Sequence, residues 1–291
     1  MMQVLLQLLR VRQWNKNLFL FVPLVFSKSL FERQTFLEVL LGFTLFSLAS
    51  SSVYIFNDIQ DKESDRQHPR KRFRPIASGR VSFSLSILLM ILLGGSSLSL
   101  SYLLKPAFGL VVLLYIIINI TYSIILKDLV ILDVMAIAAG FLLRVIACAE
   151  LAEIYPSNWL IICTILLSLF LGFGKRRHEI LLLRSNANSH RRVLTHYSTY
   201  FLDQMIIVIS ASTVISYMLY TVSQETVHFF GTKRLIWTIP FVLYGIFRYL
   251  YLIHQKEGGG DPAEMMFQDK PLLVNILLWG MSCISIIYFF K

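Results

Sequence analysis

The chain has 291 residues, of which 56% are hydrophobic and only 15% charged, with a formal net charge of +10. A soluble domain of this length carries about a quarter charged residues, so the composition excludes an ordinary soluble globular protein. The positive excess follows the loops in a way that reads as membrane topology, not as a nucleic-acid surface.

Apolar stretches near the ~20 residues that cross a bilayer recur from end to end. They fall at 17–31, 35–56, 82–104, 107–126, 129–149, 157–174, 202–222, 235–254 and 272–290. They predict an all-α polytopic membrane protein, a bundle of about nine transmembrane helices forming one domain over 1–291, and such a bundle is compatible with a homo-oligomer. Arg10, Arg12 and Lys16 precede the first stretch, but "LFLFVPLVFS" is bulky and lacks a small-residue cleavage site. It therefore reads as a spanning segment and not as a removable leader. Gly94-Gly95 is expected to weaken the third helix locally. Cys148, Cys163 and Cys283 are scattered through apolar segments without metal-ligand spacing.

With nine spans, nineteen Lys and Arg residues fall in the N-terminus and the loops after helices 2, 4, 6 and 8, against six on the other side. The bias in basic residues sets orientation, so the N-terminus and the large polar loops are expected to face the cytoplasm from a cell inner membrane.

The loop after helix 2 reads "NDIQDKESDRQHPRKRFRPIASG", residues 57–79. If the helix continues past Asn57, then Asp58, Asp61 and Asp65 stand at i, i+3 and i+7 and share one face over about 10 Å. Three neighbouring carboxylates repel one another unless a cation joins them. Hard oxygen ligands of this kind, with the Asn57 amide beside them, suit Mg²⁺, which binds through carboxylates and substrate phosphates together. The plainer alternative is a solvated cap that merely marks the membrane border.

Pro69 and Pro75 end any helix, so 68–79 is expected to fold back as a loop. Arg70, Lys71, Arg72 and Arg74 would then meet a polyanionic substrate, Arg72 and Arg74 as phosphate clamps, or anchor anionic lipid. Farther along, Asp133 and Arg144 are ionisable groups on an apolar helix, where such groups face an interior or a wet cavity. Arg144 reads as structural, while Asp133 stands evenly between structure and substrate binding. Arg12, Trp14 and Lys16 offer a phosphate contact near the first span, or an interfacial anchor.

Asn57-Asp58-x-x-Asp61-x-x-x-Asp65 resembles the NDxxDxxxD motif of the UbiA-type prenyltransferase superfamily. The likeness covers essentially the whole chain. Most aromatic prenyltransferases of that family carry a second acidic motif, DxxxD, after helix 6, where this chain has "GKRRHE" (174–179). With "RQWNKN" (12–17), "YSIILKDLVILDVMAIAAGFLLRV" (122–145) and "GGGDPAEMMFQDK" (258–270), the pattern is similar to one branch, the decaprenyl-phosphate phosphoribosyltransferases.

That resemblance implies a UbiA-type helical fold and a Mg²⁺-dependent transfer of 5-phosphoribose from 5-phosphoribosyl 1-diphosphate to a polyprenyl phosphate lipid, as in cell-wall biosynthesis. It implies that Asn57, Asp58, Asp61 and Asp65 surround the metal and diphosphate. Lys127, with Tyr122, would touch the leaving group; "YSIILK" is one residue longer than the family's usual YxxxK. Lys175 and Arg176 would bind phosphate, with Glu179 holding a base. The rival readings are a prenyltransferase acting on an aromatic acceptor, which the missing DxxxD disfavours, and a non-enzymatic anion or metal transporter, which would bind nearer the midplane.

Overall fold

The computed structural model describes residues 2–67, 71–183, 192–256 and 262–290, and these are helices and their connections with no strand among them. Among the described residues, eight helices are long and apolar enough to cross a membrane. The chain gathers into two compact units.

The first unit takes the chain up to Leu24 and then Ser29–Tyr155. It opens with α1 (Met2–Leu8), a 3₁₀ helix (Val11–Phe21) and the first residues of α2 (Val22–Phe26). The first apolar stretch is thus a 3₁₀ segment leading into a short α-helix, not one regular span. Pro23 lies at the second position of α2, where its missing N–H costs nothing, and Lys28 at φ 65° ends the run. A 3₁₀ run of this length is uncommon. Here side chains hold it: Trp14 Nε1 donates to Ser51 Oγ at 3.0 Å and Asn17 Nδ2 to Ser47 Oγ at 2.9 Å.

Those serines lie on α3 (Arg33–Gln60), the most buried of the spans. α4 (Lys62–Gln67) follows it, then α5 (Phe83–Leu104), α6 (Pro106–Ile124) and α7 (Leu132–Ala152). Small residues let membrane helices approach closely, and α3 meets α5 through them. Ser52 Oγ donates to the Met90 carbonyl at 2.8 Å and Ser97 Oγ to that of Leu45 at 2.7 Å. A Cβ on Gly94 would stand 2.7 Å from Ser52 Oγ. The glycine therefore serves this seam, and α5 runs unbroken through it. The core of the unit includes Phe46, Ala49, Val53, Phe108, Val112, Tyr115, Leu143 and Leu151.

Arg144 is buried in that core. Its guanidinium donates to Asn17 Oδ1 at 2.8 Å, the Gly140 carbonyl at 2.6 Å and Tyr115 Oη at 3.3 Å, with Phe46, Tyr115 and Phe141 rings around it. It ties the 3₁₀ segment, α6 and α7 together.

The second unit holds Val25–Lys28 and the chain from Pro156 onward, among the described residues. Its helices are α8 (Asn158–Leu183), α9 (Thr199–Val222), α10 (Gln224–Phe230), α11 (Ile239–Gln255), α12 (Pro262–Gln268) and α13 (Lys270–Phe289). Ser198 and Ser223 cap α9 and α10 by accepting backbone N–H bonds. Tyr217, Tyr220, Leu235, Cys283 and Ile287 form its core. The Tyr217 hydroxyl is satisfied there by Thr238 at 2.7 Å and Trp279 Nε1 at 2.9 Å.

Candidate active site

α3 ends at Gln60, and the chain turns through Asp61 into α4. The break is slight, because Asp61 N–H still donates to the Asn57 carbonyl and Asp65 N–H to that of Asp61. It nevertheless divides the three acids into two groups. Asp58 and Asp65 are both buried, at 2% exposure, and share one nitrogen: Arg74 Nη1 donates to Asp58 Oδ1 at 3.0 Å and to Asp65 Oδ2 at 2.6 Å. Asp61 is held instead by Lys127 Nζ at 2.7 Å and by Asn57 Nδ2 at 3.1 Å. Asn57 Oδ1 in turn accepts from Ser123 Oγ at 3.1 Å.

The described part of the loop that delivers Arg74 starts as a short 3₁₀ turn at Lys71–Phe73 and bends on through Pro75. Ser78 Oγ donates to the Arg74 carbonyl at 2.7 Å and Arg66 Nε to that of Ala77 at 3.2 Å. Ile76 and Val81 bury themselves with Leu8 and Ile55. This small apolar cluster anchors an otherwise charged loop to α1 and α3. Arg72 is exposed and stacks on Phe73, its carbon Cζ 4.8 Å from the ring centre; its described contacts do not include the acids. His68 and Arg70 lie outside the described residues.

Burial pushes the Asp65 carboxyl above its ordinary range, with Asp58 adding to the rise, while Arg74 and Lys71 pull it back. A carboxylate in that setting seeks positive charge. Arg74 Nη1 already marks a point where one cationic centre meets two carboxylates. Among the described residues, no three acidic, His or Cys side chains converge to hold a metal. A divalent ion here would therefore draw two carboxylates, Asp58 and Asp65, and complete its shell from water and phosphate oxygens, as Mg²⁺ does. The donors fit that ion.

The other expected residues are placed as follows. Tyr122 is half-buried beside Ser123, and Lys16 is half-buried in the 3₁₀ segment next to Asn17. Asp133 is fully buried in the first turn of α7. In the second unit, Lys175, Arg176 and Glu179 lie on α8, which continues well past the apolar stretch. Arg176 is fully buried and donates to Glu179 Oε2 at 2.6 Å. Arg177 pairs with Asp203 at 2.5 Å and donates to the Ile253 carbonyl at 3.1 Å, which ties α8 to α9 and α11.

Sequence reasoning passed over two contributors. Ser123, adjacent to Tyr122, orients Asn57. Arg10, which counted only toward topology, ion-pairs with Asp58 Oδ1 from 48 positions away. No local spacing rule reaches across that distance.

Apolar helices of membrane-spanning length thus surround a cluster of three carboxylates, each paired with a base from another part of the chain. A profile of the UbiA prenyltransferase family matches residues 18–269, and the chain belongs to that family. It is 32% identical over 290 residues to a decaprenyl-phosphate phosphoribosyltransferase of Corynebacterium glutamicum, covering 98% of this chain and 86% of that protein. It is 34% identical over 298 residues to the protein of the same name from Mycolicibacterium smegmatis, with 98% and 92% covered. Among solved structures, a UbiA homologue from Archaeoglobus fulgidus bound to DMAPP and Mg²⁺ superposes with a TM-score of 0.72 at 18% identity, over 98% of this chain and 99% of that one. This last likeness concerns the fold alone.

Proposed function

We propose that this chain transfers 5-phosphoribose from 5-phosphoribosyl 1-diphosphate to the terminal phosphate of a long polyprenyl phosphate, releasing diphosphate. One observation carries the reading: Arg74 joins two buried carboxylates, while Lys127 holds the third. The arrangement supplies metal ligands and phosphate ligands in one place. Relatives 32–34% identical across nearly the whole chain bear the name of this activity, which favours a phosphoribosyl donor over a prenyl diphosphate.

In the reaction, an oxygen of the lipid phosphate forms a bond to ribose C1 as the bond from C1 to the diphosphate oxygen breaks. The lipid phosphate is already anionic at neutral pH, so attack needs little help from a base. Mg²⁺, when bound, neutralises charge on the departing diphosphate. The work of the chain is then to position and to screen. Asp58 and Asp65 would hold the ion, Asp61, itself held by Asn57, would keep Lys127 at the leaving group, and Arg74 would serve as a phosphate ligand. Lys175 and Arg176 replace the second acidic motif with positive charge, as a donor bearing an additional 5-phosphate requires, with Glu179 fixing Arg176. Arg72, Tyr122, Lys16 and Asp133 complete the substrate contacts. The whole chain acts as one catalytic domain in a cell inner membrane, with the reaction on its cytoplasmic side.

The test is a membrane assay with radiolabelled phosphoribosyl diphosphate, polyprenyl phosphate and Mg²⁺, comparing wild type with Asp61→Ala. Labelled lipid from the wild type, abolished by chelator and reduced at least ~100-fold in the variant, is the expected result. Turnover of a prenyl diphosphate with an aromatic acceptor, and no labelled lipid, would overturn it.

A further inference from the structure

Arg10 occupies the turn between α1 and the 3₁₀ segment at φ 49°, ψ 46°, a left-handed conformation uncommon for a residue with a side chain. The turn is built to hold it there. Ser51 Oγ lies 2.8 Å from the Leu9 carbonyl and 3.0 Å from Trp14 Nε1, and Leu8 is buried against Ile55, Ile76 and Val81. The guanidinium lies over the Tyr54 ring, 5.0 Å from its centre, and reaches Asp58 Oδ1. That oxygen is the same one that Arg74 contacts at 3.0 Å.

Two guanidinium groups on one buried carboxylate oxygen compete with a metal ion for it. The charges lead to the same point. Asp58, Asp61 and Asp65 already meet Arg10, Arg74 and Lys127, with Lys71 acting on Asp65 as well, so a divalent ion added alone leaves the cluster with an excess of positive charge. A diphosphate arriving with the ion restores the balance. We propose that Arg10 couples the two ligands, serving as counter-ion to Asp58 against a lone divalent cation and as a ligand to phosphate oxygen once Asp58 takes the metal. It opposes the metal by itself and favours the metal–diphosphate pair, and linkage makes the effect reciprocal. This inference rests on reading the acidic cluster as a metal–diphosphate site.

The experiment uses the full-length protein in detergent, with Mn²⁺ as a paramagnetic probe and labelled inorganic pyrophosphate as the anion. Free Mn²⁺ is titrated without anion, and pyrophosphate binding is measured at saturating Mn²⁺. Arg10→Gln is expected to bind Mn²⁺ alone about five- to tenfold more tightly and pyrophosphate about five- to tenfold more weakly, the lower end of ordinary coupling between sites. Arg10→Lys, which keeps the charge but loses the planar fork, is expected to fall between on both and secures the test if the glutamine variant does not fold. Shifts of the same sign in both titrations indicate a structural role and overturn the proposal, as does no shift in either. Saturable Mn²⁺ binding by the wild type that Asp58→Ala abolishes, with no effect of Arg10→Gln, refutes the coupling and leaves the metal site standing. No saturable Mn²⁺ binding by the wild type would overturn both.

Discussion

Asp65 illustrates how a single residue trades stability for chemistry. Its carboxyl is buried beside Asp58 and titrates above the ordinary range despite Arg74 and Lys71. The folded state therefore takes up this proton more readily than the unfolded chain does. By linkage, the ionised group costs stability at neutral pH, and that cost fades as pH falls below the raised value. Asp65→Asn is accordingly expected to match or raise the unfolding temperature at pH 7, by up to a few degrees, while transfer activity is lost. The gain should vanish in acid. A variant that both unfolds earlier at pH 7 and loses activity would show that the Arg74 contact outweighs the burial. Local spacing made the acids visible. It could not show that Asp61 would be engaged by Lys127 while Asp58 and Asp65 share Arg74, because those partners come from elsewhere in the chain.

Among the elements, the start of α13 is the clearest case of several contacts meeting on one side chain. Asp269 accepts the Leu272 N–H at 2.9 Å as helix cap, and Arg248 grips it with Nε at 3.1 Å and Nη2 at 2.8 Å. The Arg248 hydrogen bonds, helped by the Leu272 N–H, hold this carboxyl below the ordinary range. Here the sign is opposite to that of Asp65. Its contribution is present in full above pH ~4 and is lost as pH falls through the lowered folded value. Asp269→Ala should lower stability by about 1–2 kcal/mol at pH 7, read by thermal unfolding in detergent, with the deficit shrinking in strong acid. The sequence showed Asp269 only as part of a family-like loop, since a cap paired to a residue 21 positions earlier is a tertiary fact. The same holds for α8. The apolar count stopped at residue 174, yet the helix continues to Leu183, with Arg176 paired to Glu179 at i,i+3 and Arg177 to Asp203 along the added turns.

For the whole molecule, the partition of basic residues predicts which loops share a side. Native cysteines lie within spans, so a single introduced thiol can be read against them. Ser84→Cys, at the exposed start of α5, should react with an impermeant maleimide only from the cytoplasmic side, and Glu153→Cys, beyond α7, only from outside. Reversed labelling would refute the orientation. Eight long helices and an irregular first segment correspond closely to the apolar stretches in the sequence, because a bilayer demands length and apolarity from any span.

What the sequence determined by itself is therefore the class of fold, the approximate spans, the family and the acidic motif. The fold class and the spans follow from local composition, the acidic motif from short-range spacing, and the family from the resemblance of its motifs. Tertiary structure alone decided which cation meets which carboxylate, that the first stretch is a 3₁₀ segment pinned by serines of α3, and that Arg10 belongs with Asp58. Those outcomes depend on side chains from distant segments meeting in a low-dielectric interior, where each buried charge must find a partner.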